Sequence, residues 1–327
     1  MARIPNVKWS TGGIERPNPD HVRVRNVHCM GVKVCVGVVN VAIVLSTVWG
    51  LVLASPAGSA AEETRTKIAY RDSGNVFVMK DDGTAKSVVY ASGGFPCCFS
   101  WSPDGGSFAF EDNGIKRIDI SVVGGKFAGS NLMQLAANGQ AARPAWSPQG
   151  NEIVLVADPY GRESIAVVPP SGGSLQVLYT PPQGSALDFP TWRFDGTRIA
   201  FSETDATGMK AIKILDRTTL TISASFVLSV TAIMWLDWAR TKDVLAFSDA
   251  TEQFPGKGQD VFTLDLATGT LTLVVTEARV PSWSPGDLKL VYAKNFSYKR
   301  TIIVRDLATG TLKTLAKSGD FPSWSRA

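Results

Sequence analysis

CFSWSPDGGSFAF, residues 98–110, decides the fold. Extended residues lead up to Trp101, Ser-Pro-Asp-Gly makes a turn, and a second extended run begins at Ser107. The turn chemistry is local: proline presets φ, and glycine accepts the positive φ that other residues resist. The same pattern returns as RPAWSPQGNEIVLV at 143–156, FPTWRFDGTRIAFS at 189–202 and VPSWSPGDLKLVYA at 280–293. A looser copy, LDWARTKDVLAFS, occupies 236–248, and FPSWS at 321–325 supplies one more first strand. Departures at Gln149, Arg193-Phe194, Ala239–Lys242 and Gly286-Asp287 are expected to alter turns and to leave the number of repeats unchanged.

The anchor tryptophans are Trp101, Trp146, Trp192, Trp238, Trp283 and Trp324, spaced by 45, 46, 46, 45 and 41 residues. Within a unit a third strand follows (DVFTLDL at 260–266, TIIVRDL at 301–307), then a turn of the Ala-Thr-Gly type and a fourth strand such as TLTLVV at 270–275. Four strands in about 45 residues make one propeller blade, which cannot bury both faces alone and must stack on its neighbours. Lys67-Ile68-Ala69-Tyr70 is a second strand with no first strand before it, and Phe321–Ser325 is a first strand with no second strand after it. These complementary halves predict an all-β, six-bladed β-propeller of four-stranded blades, closed by pairing of the N- and C-terminal strands, in place of an open solenoid.

The W-S-P-D-G-x-x-x-A-F units resemble the PD40 repeats of TolB-like propellers, a branch of the WD40-like group, over residues 62–327. That resemblance implies the fold and leaves function open, because one fold hosts many activities. It extends to oligogalacturonate-lyase propellers, whose metal site uses histidines. The only histidines here are His21 and His28, so residues 62–327 offer no imidazole for a metal site, a Ser-His-Asp triad or a Cys-His pair. No G-x-S-x-G elbow occurs either. The sequence predicts no cofactor, no metal site and no catalytic residue.

Residues 1–61 hold six of the 33 basic and two of the 29 acidic residues, which leaves 27 of each in the remainder. A neutral propeller lacks the basic footprint that binds a phosphate backbone, so nucleic acid is not an expected partner. From Val34 to Ala54 the chain is uncharged and apolar; Lys33 precedes this run, and small residues end it near Ala60 and Ala61. This is a secretory signal pattern, long enough to serve instead as a membrane anchor if uncleaved. The expected organisation is therefore 1–29 as a leader extension or a misassigned start ahead of Met30, 30–61 as signal peptide or anchor, and 62–327 as propeller.

Counting back from the anchor tryptophans, Cys97, Asp188 and Asp320 occupy equivalent places, followed by Cys98, Phe189 and Phe321. These places are where a first strand enters the channel, which makes Cys97, Cys98, Asp188 and Asp320 the candidate binding residues. The adjacent thiols read either as a vicinal disulfide or reactive pair, or as two small packed side chains. Asp81-Asp82-Gly83 and Glu111-Asp112-Asn113-Gly114 read as hairpin turns rather than calcium loops. The segment 119–135 exceeds its counterparts in other repeats and is expected to be a rim loop. The leading functional expectation is an exported, non-enzymatic binding or scaffold propeller for a protein, peptide or glycan. The alternatives are a carboxylate-dependent carbohydrate-active or lyase-like enzyme and a membrane-anchored structural module.

Overall fold

The Ser-Pro-Asp-Gly turns close as their residues require. In the first, Ser102 N–H donates to the Ser107 carbonyl at 2.9 Å, and Asp104 Oδ1 accepts from the Gly106 N–H at 2.9 Å. In the copy with the inverted pair, Asp287 takes the left-handed position itself, at φ 56°. Its carboxylate turns inward and accepts from the N–H groups of Arg240 and Thr241, each at 2.7 Å, which ties this blade to the one before it. The inversion thus changes what a turn grips and leaves the repeat intact.

The computed structural model describes residues 66–137, 139–159, 161–249, 259–296 and 299–327. The leader and the apolar segment 34–54 lie outside them. No helix among the described residues is long and apolar enough to cross a membrane. The strands form six four-stranded antiparallel sheets. Blade 1 takes Lys67–Asp72, Asn75–Lys80 and Ser87–Ala91 from the start of the described chain and Asp320–Trp324 from its end. Blades 2 to 6 are each continuous in sequence, with inner strands Cys97–Trp101, Ala141–Trp146, Ala186–Trp192, Met234–Trp238 and Ala278–Trp283. Each inner strand touches those of the blades on either side, and Asp320–Trp324 touches both Ala278–Trp283 and Cys97–Trp101, so the ring is closed.

The closing contact is the predicted clasp. Ile68 pairs with Trp324, Ala69 with Ser323 and Arg71 with Asp320. Lys67 N–H donates to Ser325 Oγ at 2.8 Å, and Ser325 N–H returns a bond to the Lys67 carbonyl at 2.8 Å.

The core lies between blades. Val154, Val156, Ile165 and Val167 of blade 3 pack on Trp192, Ile199, Phe201 and Leu215 of blade 4. The residue before each anchor tryptophan links neighbours: Ser100 Oγ accepts from Trp146 N–H (2.8 Å), Thr191 Oγ1 from Trp238 N–H (3.2 Å), and Asp237 Oδ2 from Trp283 N–H (2.8 Å). The indole N–H groups of Trp101, Trp192 and Trp283 donate backward to the carbonyls of Ser323, Ala145 and Asp237. Trp101, Trp192 and Trp283 therefore fill the interblade space and also satisfy polar groups buried in it.

The expected rim loop at 119–135 is a correction. It is a long hairpin of Gly114–Val123 and Lys126–Ala137, turned by Gly124-Gly125 at φ 58° and 76°. Two adjacent positive-φ residues are what a tight hairpin turn needs, and Gly-Gly supplies them. The outer arm packs back on blade 1, where Phe127 N–H donates to Ser87 Oγ at 3.1 Å.

Candidate functional site

Each inner strand carries one extra residue relative to the strand beside it. Cys97 pairs with Glu111 and Ser100 with Ala109; Asp188 pairs with Ser202 and Thr191 with Ala200. The other four blades show the same shift. Two residues opposite one, as Cys98 and Phe99 opposite Phe110, make a β-bulge. The residue three before each tryptophan sits in it with left-handed backbone: Cys98, Arg143, Phe189, Trp235, Val280 and Phe321, at φ between 48° and 61°. A non-glycine residue there costs about 1–3 kcal/mol, and the surrounding blade must hold it in place. The bulge turns all six side chains toward the axis, where they line a narrow cavity of about 100 Å³.

At the entrance end of the inner strands the channel widens into a mouth of about 630 Å³. Its walls include Phe95, Cys97, Glu111, Arg143, Trp235 and Phe321, with Arg279 and Arg300 beside them. The rings touch in series: Phe189 to Trp235 at 4.5 Å between centroids, Trp235 to Phe321 at 5.1 Å, Phe321 to Phe95 at 5.6 Å. Guanidinium groups lie on these rings. Arg71 stands 3.4 Å from the Phe95 centroid, Arg143 4.9 Å from Phe189, and Arg279 5.0 Å from Phe321. Cation–ring attraction and ion pairing together fix where the positive charges point. The indole N–H of Trp235 is shielded from solvent and meets no acceptor among the described residues.

The four sequence-predicted residues all lie at this end. Asp320 is buried and accepts from both Arg279 and Arg300, the latter at 2.7 Å. Asp188 Oδ1 lies 3.0 Å from Arg143 Nε, a charge contact without hydrogen-bond alignment. Neither aspartate is among the residues walling the mouth; each positions an arginine that is. Burial pushes the Asp188 carboxyl up to about 6, against the opposing pull of Arg143 and of the Phe189 N–H. Arg143 also donates from Nη1 to Glu111 Oε2 at 2.8 Å and lies 3.8 Å from Cys98 Sγ. The two sulfurs are 2.7 Å apart. Burial and the contact with Cys97 push the Cys98 thiol up. Cys97, Cys98 and Glu111 could offer donor atoms to one ion, but Arg143 already supplies positive charge to that set.

Sequence reasoning passed over Arg143, Trp235 and Arg279, although all three fall in the same two columns counted back from the tryptophans. Glu111 and Arg71 had a fainter signal, since they stand opposite Cys97 and Asp320 in the next strand. Phe95 and Arg300 had none. In the turn at 111–114, Asp112 is buried and accepts from Tyr90 Oη (2.8 Å) and Ser92 Oγ (2.9 Å), both of which precede blade 2 in the chain.

The ring and its bulged inner strands define a six-bladed β-propeller, a fold similar to that of TolB. Among solved structures, the chain is similar to TolB from Acinetobacter baumannii at 17% identity and TM-score 0.63, covering 80% of this chain and 66% of that one. It is also similar to a chain of a nidogen/laminin complex (13%, TM-score 0.58, 80% and 98% covered). A third likeness is to oligogalacturonate lyase from Vibrio parahaemolyticus (11%, TM-score 0.51, 73% and 74% covered). At such identities the likeness is one of fold. No protein-family model matches the sequence, and no curated protein matches it.

Proposed function

We propose that this protein is an exported, non-enzymatic binding propeller, and that its mouth receives a protruding acidic segment of a protein partner. The observation that carries this reading is the convergence of Arg71, Arg143 and Arg279 on the ring series Phe95, Phe321, Trp235 and Phe189, with Arg300 at the mouth beside them. Guanidinium groups already oriented by aromatic faces and carboxylates lose little freedom when a ligand carboxylate docks, and the Trp235 ring adds an apolar wall beside them. The nidogen/laminin complex and TolB give the fold a precedent in protein-bound and TolB-like settings, without assigning a partner to this chain.

The test is a displayed random-peptide library selected on the full chain, with the Trp235→Ala and Arg143→Ala variants in parallel. Acidic, aromatic-containing peptides should be enriched on the wild type, and their affinity should fall at least tenfold on either variant. Enrichment that ignores both substitutions, or no enrichment at all, overturns the reading; enrichment only on an array of acidic glycans moves the ligand class to carbohydrate.

Export rests on the signal pattern of residues 30–61. The amino-terminal residue of secreted material, read by mass spectrometry, should lie near Ala61 or Glu62. An intact leader in the membrane fraction would make this an anchored module.

One observation favours a second reading. Asp188, held protonated up to about pH 6 and sharing Arg143 with Glu111, has the character of a proton donor. Unsaturated products from polygalacturonate that vanish in Asp188→Asn would replace the binding reading with a lyase-like one.

A further inference from the structure

In a regular strand, successive side chains point to opposite faces, so adjacent cysteines hold their sulfurs apart. The inner strand of blade 2 is not regular at this point. Cys98 occupies the bulge at φ 61°, and this brings its Sγ to 2.7 Å from that of Cys97. The other five blades share the bulge but fill its two places with Ala142-Arg143, Asp188-Phe189, Met234-Trp235, Arg279-Val280 and Asp320-Phe321. Only blade 2 places two oxidisable sulfurs on this kink. Cys97 walls the mouth, Cys98 walls the axial cavity, and the Arg143 guanidinium lies beside Cys98.

We infer that Cys97 and Cys98 form a redox-active dithiol at the channel mouth, oxidised reversibly to a vicinal disulfide by small disulfides of the glutathione class. The inference stands apart from the ligand reading and requires no partner. Closure needs the sulfurs to approach from 2.7 Å to a bond of about 2.05 Å.

The Cys97 thiolate attacks one sulfur of the disulfide, forming a mixed disulfide and releasing one thiolate. Cys98 then attacks the Cys97 sulfur, closes the ring and releases the second thiolate. Two electrons pass from the cysteines to the oxidant, and their two protons finish on the two released thiols. Cys97 walls the wide mouth and Cys98 the narrow axial cavity, which gives first attack to Cys97 and resolution to Cys98. The Cα atoms of neighbouring residues are about 3.8 Å apart, closer than in ordinary disulfides, so the ring is strained and readily reduced again.

The experiment uses the full chain, reduced, desalted and treated with oxidised glutathione under native conditions. Trypsin releases Ser87–Lys116, which contains Cys97 and Cys98 and neither Cys29 nor Cys35. This peptide should lose two hydrogens, resist alkylation, and regain both alkylation sites when reduced glutathione is added. Cys98→Ser should retain one glutathione on Cys97, and Cys97→Ser should stay unmodified. Two freely alkylated cysteines after oxidant, a stable glutathione adduct on the wild type, a crosslink to Cys29 or Cys35, or a ring that survives reduced glutathione would each overturn the inference. So would thiols that react only after a chelator removes bound zinc. The wild-type result decides the matter even if a variant misfolds.

Discussion

Asp188 stands at the entrance with a folded pKa near 6, against about 3.9 in an unfolded chain. A carboxyl raised in this way binds its proton more tightly when folded, so it makes the fold more stable as pH falls from about 6 to about 4, and it opposes folding above that window. Arg143 pulls the value down, while Glu111 and Glu163 push it up. Asp188→Asn should therefore raise the melting temperature at pH 7 and leave it close to wild type at pH 4. Thermal unfolding at both pH values checks this; a lower melting temperature at pH 7 would mean that the attraction of Arg143 outweighs burial. At Thr191 the effect is of another kind. Thr191→Val removes the acceptor for the buried Trp238 N–H, and an orphaned buried donor costs about 1–3 kcal/mol, measurable by urea unfolding.

Among the elements, the inner strands were the most legible and the blade 2 hairpin the least. The W-S-P-D-G turn couples a conformational rule to a large side chain, so both repeat count and strand edges could be read from spacing. The bulge could not be read, because no residue type marks it: cysteine, arginine, phenylalanine, tryptophan and valine all fill the same left-handed place. Arg143, Trp235 and Arg279 escaped notice for that reason, since their positions acquire meaning only when a bulge aims them inward. The long hairpin escaped because its outer arm is mostly exposed and shows no sustained apolar alternation. Its fit against blade 1 is nonetheless tight. A Cβ at Gly129 would stand 2.2 Å from the Val89 carbonyl oxygen. Gly129→Ala should separate the outer strands of blades 1 and 2 and lower stability by about 1–3 kcal/mol, with faster amide exchange confined to 87–91 and 126–130.

For the whole molecule, the clasp has the largest leverage. Truncation after Gly319 removes the inner strand of blade 1 and leaves Lys67–Asp72 as an unpaired edge, which is a template for association with other chains. The truncated protein should oligomerise with rising concentration in light scattering, while the full chain should not. Trp324→Ala keeps the strand and empties a buried site, with an expected loss of about 3–5 kcal/mol. The clasp also imposes an order in time. Among the described strands, Lys67–Asp72, Asn75–Lys80 and Ser87–Ala91 are made first and Asp320–Trp324 last, so three strands of blade 1 wait for their fourth until the other five blades exist. Arg279 and Arg300 meet their shared carboxylate, and Arg71 its strand partner, only at that final moment. A chain cut short before Asp320 therefore lacks the carboxylate that gathers Arg279 and Arg300 at the mouth, and the ring stays open until the strand that bears it has been made.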